Sequence, residues 1–265
     1  MRFALGVEYC GHAFCGFQSQ PSGCGVQDAL ERAIGEIAGH AVGVTAAGRT
    51  DAGVHAVSQV VHFETDAKRP DSAWVRGVNT YLPTSAAILW VQHVPDDFHA
   101  RFAATARHYT YLLLPRPERL GLLAGYAGWY HQSLDVAAMG EGAMHLRGTH
   151  DFSTFRAAEC QAKTPVKTLS HIGVMHDGPF VRFEFSASGF LHHMVRNIVG
   201  ALVFVGAGRH EPAWIAELLS LRDRTRAAPT FGAEGLYLTG ADYDARFGLP
   251  ATVRAVTVAG ALAPK

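Results

Sequence analysis

The spacing of apolar residues changes repeatedly along the first hundred positions, which restricts the chain to folds that mix sheet and helix. Phe3, Leu5, Val7 and Tyr9 alternate with Ala4, Gly6 and Glu8, the period of two that marks a strand. After a Gly-rich stretch from Gly11 to Gly25, Val26, Leu30, Ala33, Ile34 and Ile37 recur at helical spacing, with Gln27, Glu31 and Arg32 opposite. Gly39 suits the end of that helix. Val57 to Phe63 and Ala87 to Val94 read as further strands, and Asp71 is placed to cap a helix running toward Val78.

The second part repeats the theme loosely. Arg107 to Leu114 reads as a strand with Tyr109, Tyr111 and Leu113 on one face. Asp135 to Leu146 reads as a helix, Ile172 to Met175 and Phe180 to Ser186 as a hairpin, and Leu191 to Val203 as a helix. Pro212 opens another helix through Leu219, and Leu236 to Leu238 is a short closing strand. The pattern predicts an α+β protein of two similar mixed α/β halves, residues 1–104 and 105–265. A cleft between two halves is then the default site. The tail after about residue 247 carries no assignable pattern.

Charge does not name a partner. The formal net charge is zero, with 19 Arg and 4 Lys, so the overall basic footprint of nucleic-acid binding is missing. Arg, however, presents a planar fork that matches phosphate, and one Arg-rich groove fits these numbers as well as an ordinary neutral enzyme does. Cys10, Cys15, Cys24 and Cys160 form no CxxC pair and read as scattered thiols of a cytosolic protein. The 15 histidines include no HExxH, and adjacent His192 and His193 would point to different sectors of a helix, so no metal site is expected. The longest apolar run, Ile198 to Gly208, falls well short of the about 20 residues a membrane helix needs. The apolar run at the N-terminus is broken by Glu8, unlike a signal peptide, so a soluble, cytoplasmic protein is expected.

The stretch Gly48-Arg49-Thr50-Asp51-Ala52-Gly53-Val54-His55-Ala56 is the strongest chemical signal. Two glycines bracket an Arg and an Asp between strand-like segments, so the loop can present Asp51 as a functional group. Local physics alone favours a plain turn in which Asp51 bonds nearby amides.

GRTDAGVHA closely resembles the catalytic loop of the TruA family of tRNA pseudouridine synthases. Other stretches resemble that family in the same order: Val60-Val61-His62-Phe63, the run from Asp96 to Phe102, and the run from Arg107 to Tyr111. Asp151-Phe152, Phe155-Arg156-Ala157, Cys160-Gln161, the run from His192 to Asn197, and Glu234 to Leu238 follow. One departure is Cys10, where the family has an Asp able to bond the loop backbone; this puts the conformation of residues 10–18 in question.

The resemblance implies the pseudouridine synthase fold, with largely antiparallel sheets meeting at a central cleft. It implies isomerisation of uridine in the tRNA anticodon stem-loop, near positions 38–40, by a homodimer with no cofactor. Asp51 would be the nucleophile, attacking either the ribose C1′ or the base C6. Arg196 would be its ion-pair partner, offsetting desolvation. His192, His193, Arg196 and Asn197 would share the polar face of their helix. Arg49 would help flip the base and fill the vacated space. Tyr109 would stack on uracil or assist loss of the C5 proton, and Leu236 would pack on the other face of the ring. Phosphate contacts would come from residues such as Arg76, Arg101, Arg107, Lys163, Lys167 and Arg222. Two rival readings share parts of the pattern. One is a non-catalytic RNA-binding module in which Asp51 only caps a turn. The other is a glycoside hydrolase, which needs two carboxyl groups where this motif supplies one.

Overall fold

A computed structural model describes residues 1–256. In chain order the regular elements begin with β1 (Arg2–Tyr9), α1 (Val26–Ala38), β2 (Thr45–Ala46), β3 (His55–Glu64), α2 (Val78–Tyr81) and β4 (Ala86–Val94). They continue with β5 (Ala106–Pro115), β6 (Gly128–Tyr130), α3 (Val136–Met144), β7 (Gly148–Asp151), β8 (Val166–Asp177) and β9 (Phe180–Ala187). Last come α4 (Met194–Gly206), α5 (Trp214–Leu221) and β10 (Leu236–Asp242). The chain forms two compact units: Met1–Arg107 with Tyr237–Val256, and His108–Leu236.

In the first unit β1 lies between β3 and β4, antiparallel to both, and β2 is antiparallel to β3. Tyr237 and Leu238 of β10 pair in parallel with His55 and Ala56 of β3. The alternation in β1 places Phe3 on Phe63 and Trp74 in the core. Helix α1 starts where the Asp28 carboxylate accepts the Gly25 N–H at 2.9 Å, relieving one of the unpaired donors of a helix N-terminus. Asp71 does not cap the next helix; its carboxylate lies 3.4 Å from His93, and the turns from Ala73 to Gly77 are π-helical before α2 begins. The tail adds a core residue, Phe247, whose ring meets Phe98 edge-on at 5.1 Å.

In the second unit β7, β8 and β9 run antiparallel in sequence order, and β6 pairs in parallel with β5. β8 and β9 are the expected hairpin, turning tightly between Asp177 and Phe180. Helix α3 is capped by Asp135, whose side chain accepts the Ala138 N–H at 2.9 Å. Its buried face packs on β8 and α4. Each unit therefore combines mainly antiparallel sheet with helices, the α+β class expected from the apolar periods. Among the described residues, no helix is long and apolar enough to cross a membrane.

Candidate active site

The loop from Gly48 to Val54 joins β2 to β3 in the first unit. Gly53 takes φ 82, a left-handed angle that side chains disfavour, and the Val54 N–H returns to the Asp51 carbonyl at 3.1 Å. Gly48 does not use that freedom. The turn leaves Arg49 exposed, Thr50 buried and Asp51 half-buried. Asp51 is thus neither in a dry core nor out in bulk solvent.

The Gly-rich stretch, whose role the sequence left open, lies on this loop. Phe17 N–H donates to the Thr50 carbonyl at 2.9 Å. Gly16, at φ 100, sits so close that an added Cβ would stand 3.1 Å from Thr50 O and 3.2 Å from Ala52 N. Gly11 N–H donates to His55 Nδ1 at 3.1 Å, fixing that nitrogen as the acceptor of a buried imidazole stacked on Tyr237. Residues 10–18 are therefore ordered without the family's Asp. Cys10 N–H bonds Ser85 O at 2.8 Å, and its sulfur faces His12 Nδ1 at 3.1 Å.

Cys15 and Cys24 form a disulfide, which corrects the reading of four scattered thiols; Cys10 and Cys160 are free. The spacing of nine residues signals nothing by itself. The two come together because the Gly-rich loop folds back, with Cys15 N–H bonding Cys24 O at 3.0 Å.

Side chains complete the support. Tyr9 hydroxyl meets Thr50 Oγ1 at 2.8 Å, and Gln59 Nε2 donates to Gly48 O at 2.7 Å. Arg107, one of the residues named for phosphate contact, bonds the protein's own backbone. Its guanidinium donates to Ala47 O at 3.1 Å, to Ala104 O at 2.9 Å and to Arg101 O, tying the strand before the loop to residues 101–104. Arg76 and Arg101 remain exposed. The sequence missed Tyr9, Gln59 and Arg107 as supports. A signal was present for Tyr9 alone, since a tyrosine on the apolar face of a strand needs a partner for its hydroxyl.

The second unit holds Tyr109, Arg196 and Leu236. Tyr109, in β5, is buried and meets Phe190 edge-on at 5.1 Å. Tyr111, two residues on, is a core residue whose hydroxyl donates to Gly232 O at 2.9 Å. Arg196 is half-buried, and its Nε donates to Phe231 O at 2.9 Å, which holds the side chain at its root. Leu236 is buried at the start of β10.

The shared helix face is only partly real. Helix α4 starts at Met194, because His193 takes φ 61 and lies outside it. The rings of His192 and His193 approach to 4.0 Å instead of pointing to different sectors. Asn197 is fully buried and structural: it donates to Phe155 O at 2.8 Å and accepts from Arg224 at 3.0 Å and Thr230 at 2.7 Å. Burial holds the Arg224 guanidinium below the usual arginine range. Arg222 lies 3.6 Å from Asp151, while Lys163 is exposed and Lys167 is half-buried in β8.

A family model described as tRNA pseudouridine synthase matches residues 6–103 and 143–244. The chain belongs to the tRNA pseudouridine synthase family. Its relatives include a tRNA pseudouridine synthase A of Thiobacillus denitrificans, 59% identical over 94% of this chain and 96% of the relative. Another, of Chromobacterium violaceum, is 60% identical over 96% of this chain and 98% of its own length. A third, of Methylobacillus flagellatus, is 57% identical over 97% and 99%. The synthase family match takes in the Asp51 loop, the Gly-rich stretch lying on it, and helix α4 with Arg196.

Proposed function

We propose that this chain isomerises uridine to pseudouridine in tRNA, with Asp51 as the nucleophile. The observation that carries the reading is the GRTDAGVHA loop, whose backbone is pinned on three sides while Asp51 stays half-buried. Membership of the family supports the reaction class.

The chemistry is redox-neutral. The N1–C1′ bond breaks, uracil turns, a C5–C1′ bond forms, the C5 proton leaves, and N1 takes up a proton. What the protein must supply is a charged carboxylate, a place for an extruded base, and a proton acceptor. Asp51 attacks C1′ or C6. Arg196 is the proposed counter-charge and Tyr109 the proposed partner of the flipped uracil, with Leu236 on the other face of the ring. Arg49, exposed two residues from Asp51, is the residue proposed to enter the gap that the base leaves in the stack. The proposed target is the anticodon stem-loop at positions 38–40, and the proposed working form is a homodimer in the cytoplasm.

Release of tritium from tRNA carrying 5-tritiated uridine reads the reaction directly, because forming the new bond must expel that hydrogen. Asp51→Asn is expected to abolish release while binding tRNA nearly as well as the parent. Release at the parent rate would remove Asp51 from the mechanism. Binding by the parent with no release would leave only an RNA-binding module. Mass mapping of tRNA from a strain lacking the protein locates the modified positions, and light scattering reads the oligomer.

A further inference from the structure

Three side chains of the first unit form a buried relay behind the Asp51 loop. Gln59 is fully buried on β3, Tyr9 is 4% exposed at the end of β1, and Thr50 is 7% exposed. Gln59 Nε2 donates to Gly48 O at 2.7 Å, which fixes the amide orientation, since the oxygen in that place would face a carbonyl. The same nitrogen lies 3.5 Å from the Tyr9 hydroxyl, and that hydroxyl lies 2.8 Å from Thr50 Oγ1. The Tyr9 oxygen accepts from Gln59, and the Tyr9 and Thr50 hydroxyls share one hydrogen bond that either can donate. The rings of Phe14 and Phe17 flank Tyr9 at 6.4 and 6.3 Å. Phe17 also holds the Thr50 carbonyl, so Thr50 is gripped at both its side chain and its backbone.

We propose that Tyr9, acting through Thr50, is a positioning residue that sets the direction of the Asp51 carboxylate during the chemical step. The inference rests on the reading of Asp51 as nucleophile. Thr50 and Asp51 share a peptide bond, so rotation at Thr50 re-aims the carboxylate. The loop's own turn, from Asp51 O to Val54 N, fixes only the far side. On the near side Tyr9 holds the Thr50 side chain by a hydrogen bond of 2.8 Å. Burial pushes the Tyr9 phenol up to about 12, so it keeps its donor hydrogen throughout the working pH range.

The test separates rate from affinity and from folding. Single-turnover tritium release at saturating enzyme gives a rate constant and an amplitude. With enzyme in excess the amplitude counts the tRNA that can react and the rate constant reads the geometry, while a melting curve of each variant reads folding. Because small misplacements of a reacting group cost up to about 100-fold, Tyr9→Phe is expected to lower the rate constant about 10-fold. Amplitude and tRNA affinity should stay within about twofold. Thr50→Val should show the same loss, and Thr50→Ser, which keeps the hydroxyl, should recover the rate to within about threefold. The Tyr9→Phe/Thr50→Val pair should be no slower than the worse single variant, as for residues acting through one contact.

A parent rate constant for folded Tyr9→Phe overturns the proposal, as does a loss confined to tRNA affinity or amplitude. If Tyr9→Phe does not fold, equal rates for Thr50→Val and Thr50→Ser overturn it. Asp51→Asn belongs in the same series. Release by that variant defeats the nucleophile reading, whereas no release there together with a parent rate for Tyr9→Phe defeats the positioning role alone.

Discussion

His62 sits on β3 between Ala4 of β1 and Thr45 of β2, with 8% of its surface exposed. Its Nδ1 accepts the Ala100 N–H at 3.1 Å, which requires the neutral ring. Burial, then the charges of His99 and Arg2, push its pKa down to about 4. The unfolded chain takes up this proton near pH 6.5, and the folded chain resists until near pH 4. The sign follows: stability is full above pH 6.5 and falls as the pH drops toward 4. A shift of this size corresponds to about 3 kcal/mol at most. Replacing His62 by Gln, which keeps an acceptor for Ala100 but cannot titrate, is expected to flatten the decline between pH 6.5 and 4 by that amount. Urea unfolding at four or five pH values measures it. Parallel curves for parent and variant would show that another group carries the pH dependence.

At the scale of elements, the loop from Cys10 to Gly25 is the part least like its sequence reading. Cys15 is exposed and Cys24 half-exposed, so a soluble reductant can reach the bond. Closing a loop of nine residues removes freedom from the unfolded chain, a stabilisation of about 2.5 kcal/mol. Cys24→Ser, or added reductant, should therefore lower the melting temperature by about 5–8 °C, read by calorimetry. Identical melting with and without reductant would deny the bond any role in stability. The contrast with the rest of the fold is physical. Helix α1 and β9 were legible because each buries one face of a single repeating period, and β1, β3 and β5 because they are apolar runs buried on both faces. The two-residue β2 and three-residue β6 are too short to show a period. Helix α4 was read three residues too early, because nothing in Leu191-His192-His193 announces the left-handed turn at His193. Within the candidate site, the loop bearing Asp51 was visible as a motif. Its supports were not, because Tyr9, Gln59 and Arg107 lie 41, 11 and 60 residues from the loop positions they bond.

Over the whole molecule, the first unit is discontinuous in sequence, and this has consequences for the site. Residues 237–256 leave the second unit and complete the first. Tyr237 and Leu238 pair with His55 and Ala56, the last residues of the GRTDAGVHA motif, and Tyr237 stacks on the His55 ring at 4.6 Å. Further along, Tyr243 hydroxyl donates to Ala100 O at 2.7 Å, and Ala241 and Phe247 fill the core around Phe98. Thr252 O accepts from Ser58 at 2.7 Å, and Arg254 reaches Glu8 at 3.2 Å. A fragment of residues 1–107 would expose one side of β3 and lose the burial of Leu238 and Phe247. Each such side chain contributes about 1.5–3 kcal/mol. Set against a typical domain stability of about 5–15 kcal/mol, that loss is decisive. The fragment 1–107 is expected to lack a cooperative melting transition. Joining residues 237–256 to it through a flexible Gly/Ser linker of roughly 15 residues should restore one. It should also restore slow amide exchange at the start of β3, where His55 and Ala56 pair with Tyr237 and Leu238. Cooperative melting of 1–107 alone would mean that β1, β3 and β4 suffice. The returning strand would then support the Asp51 loop locally without holding its unit together.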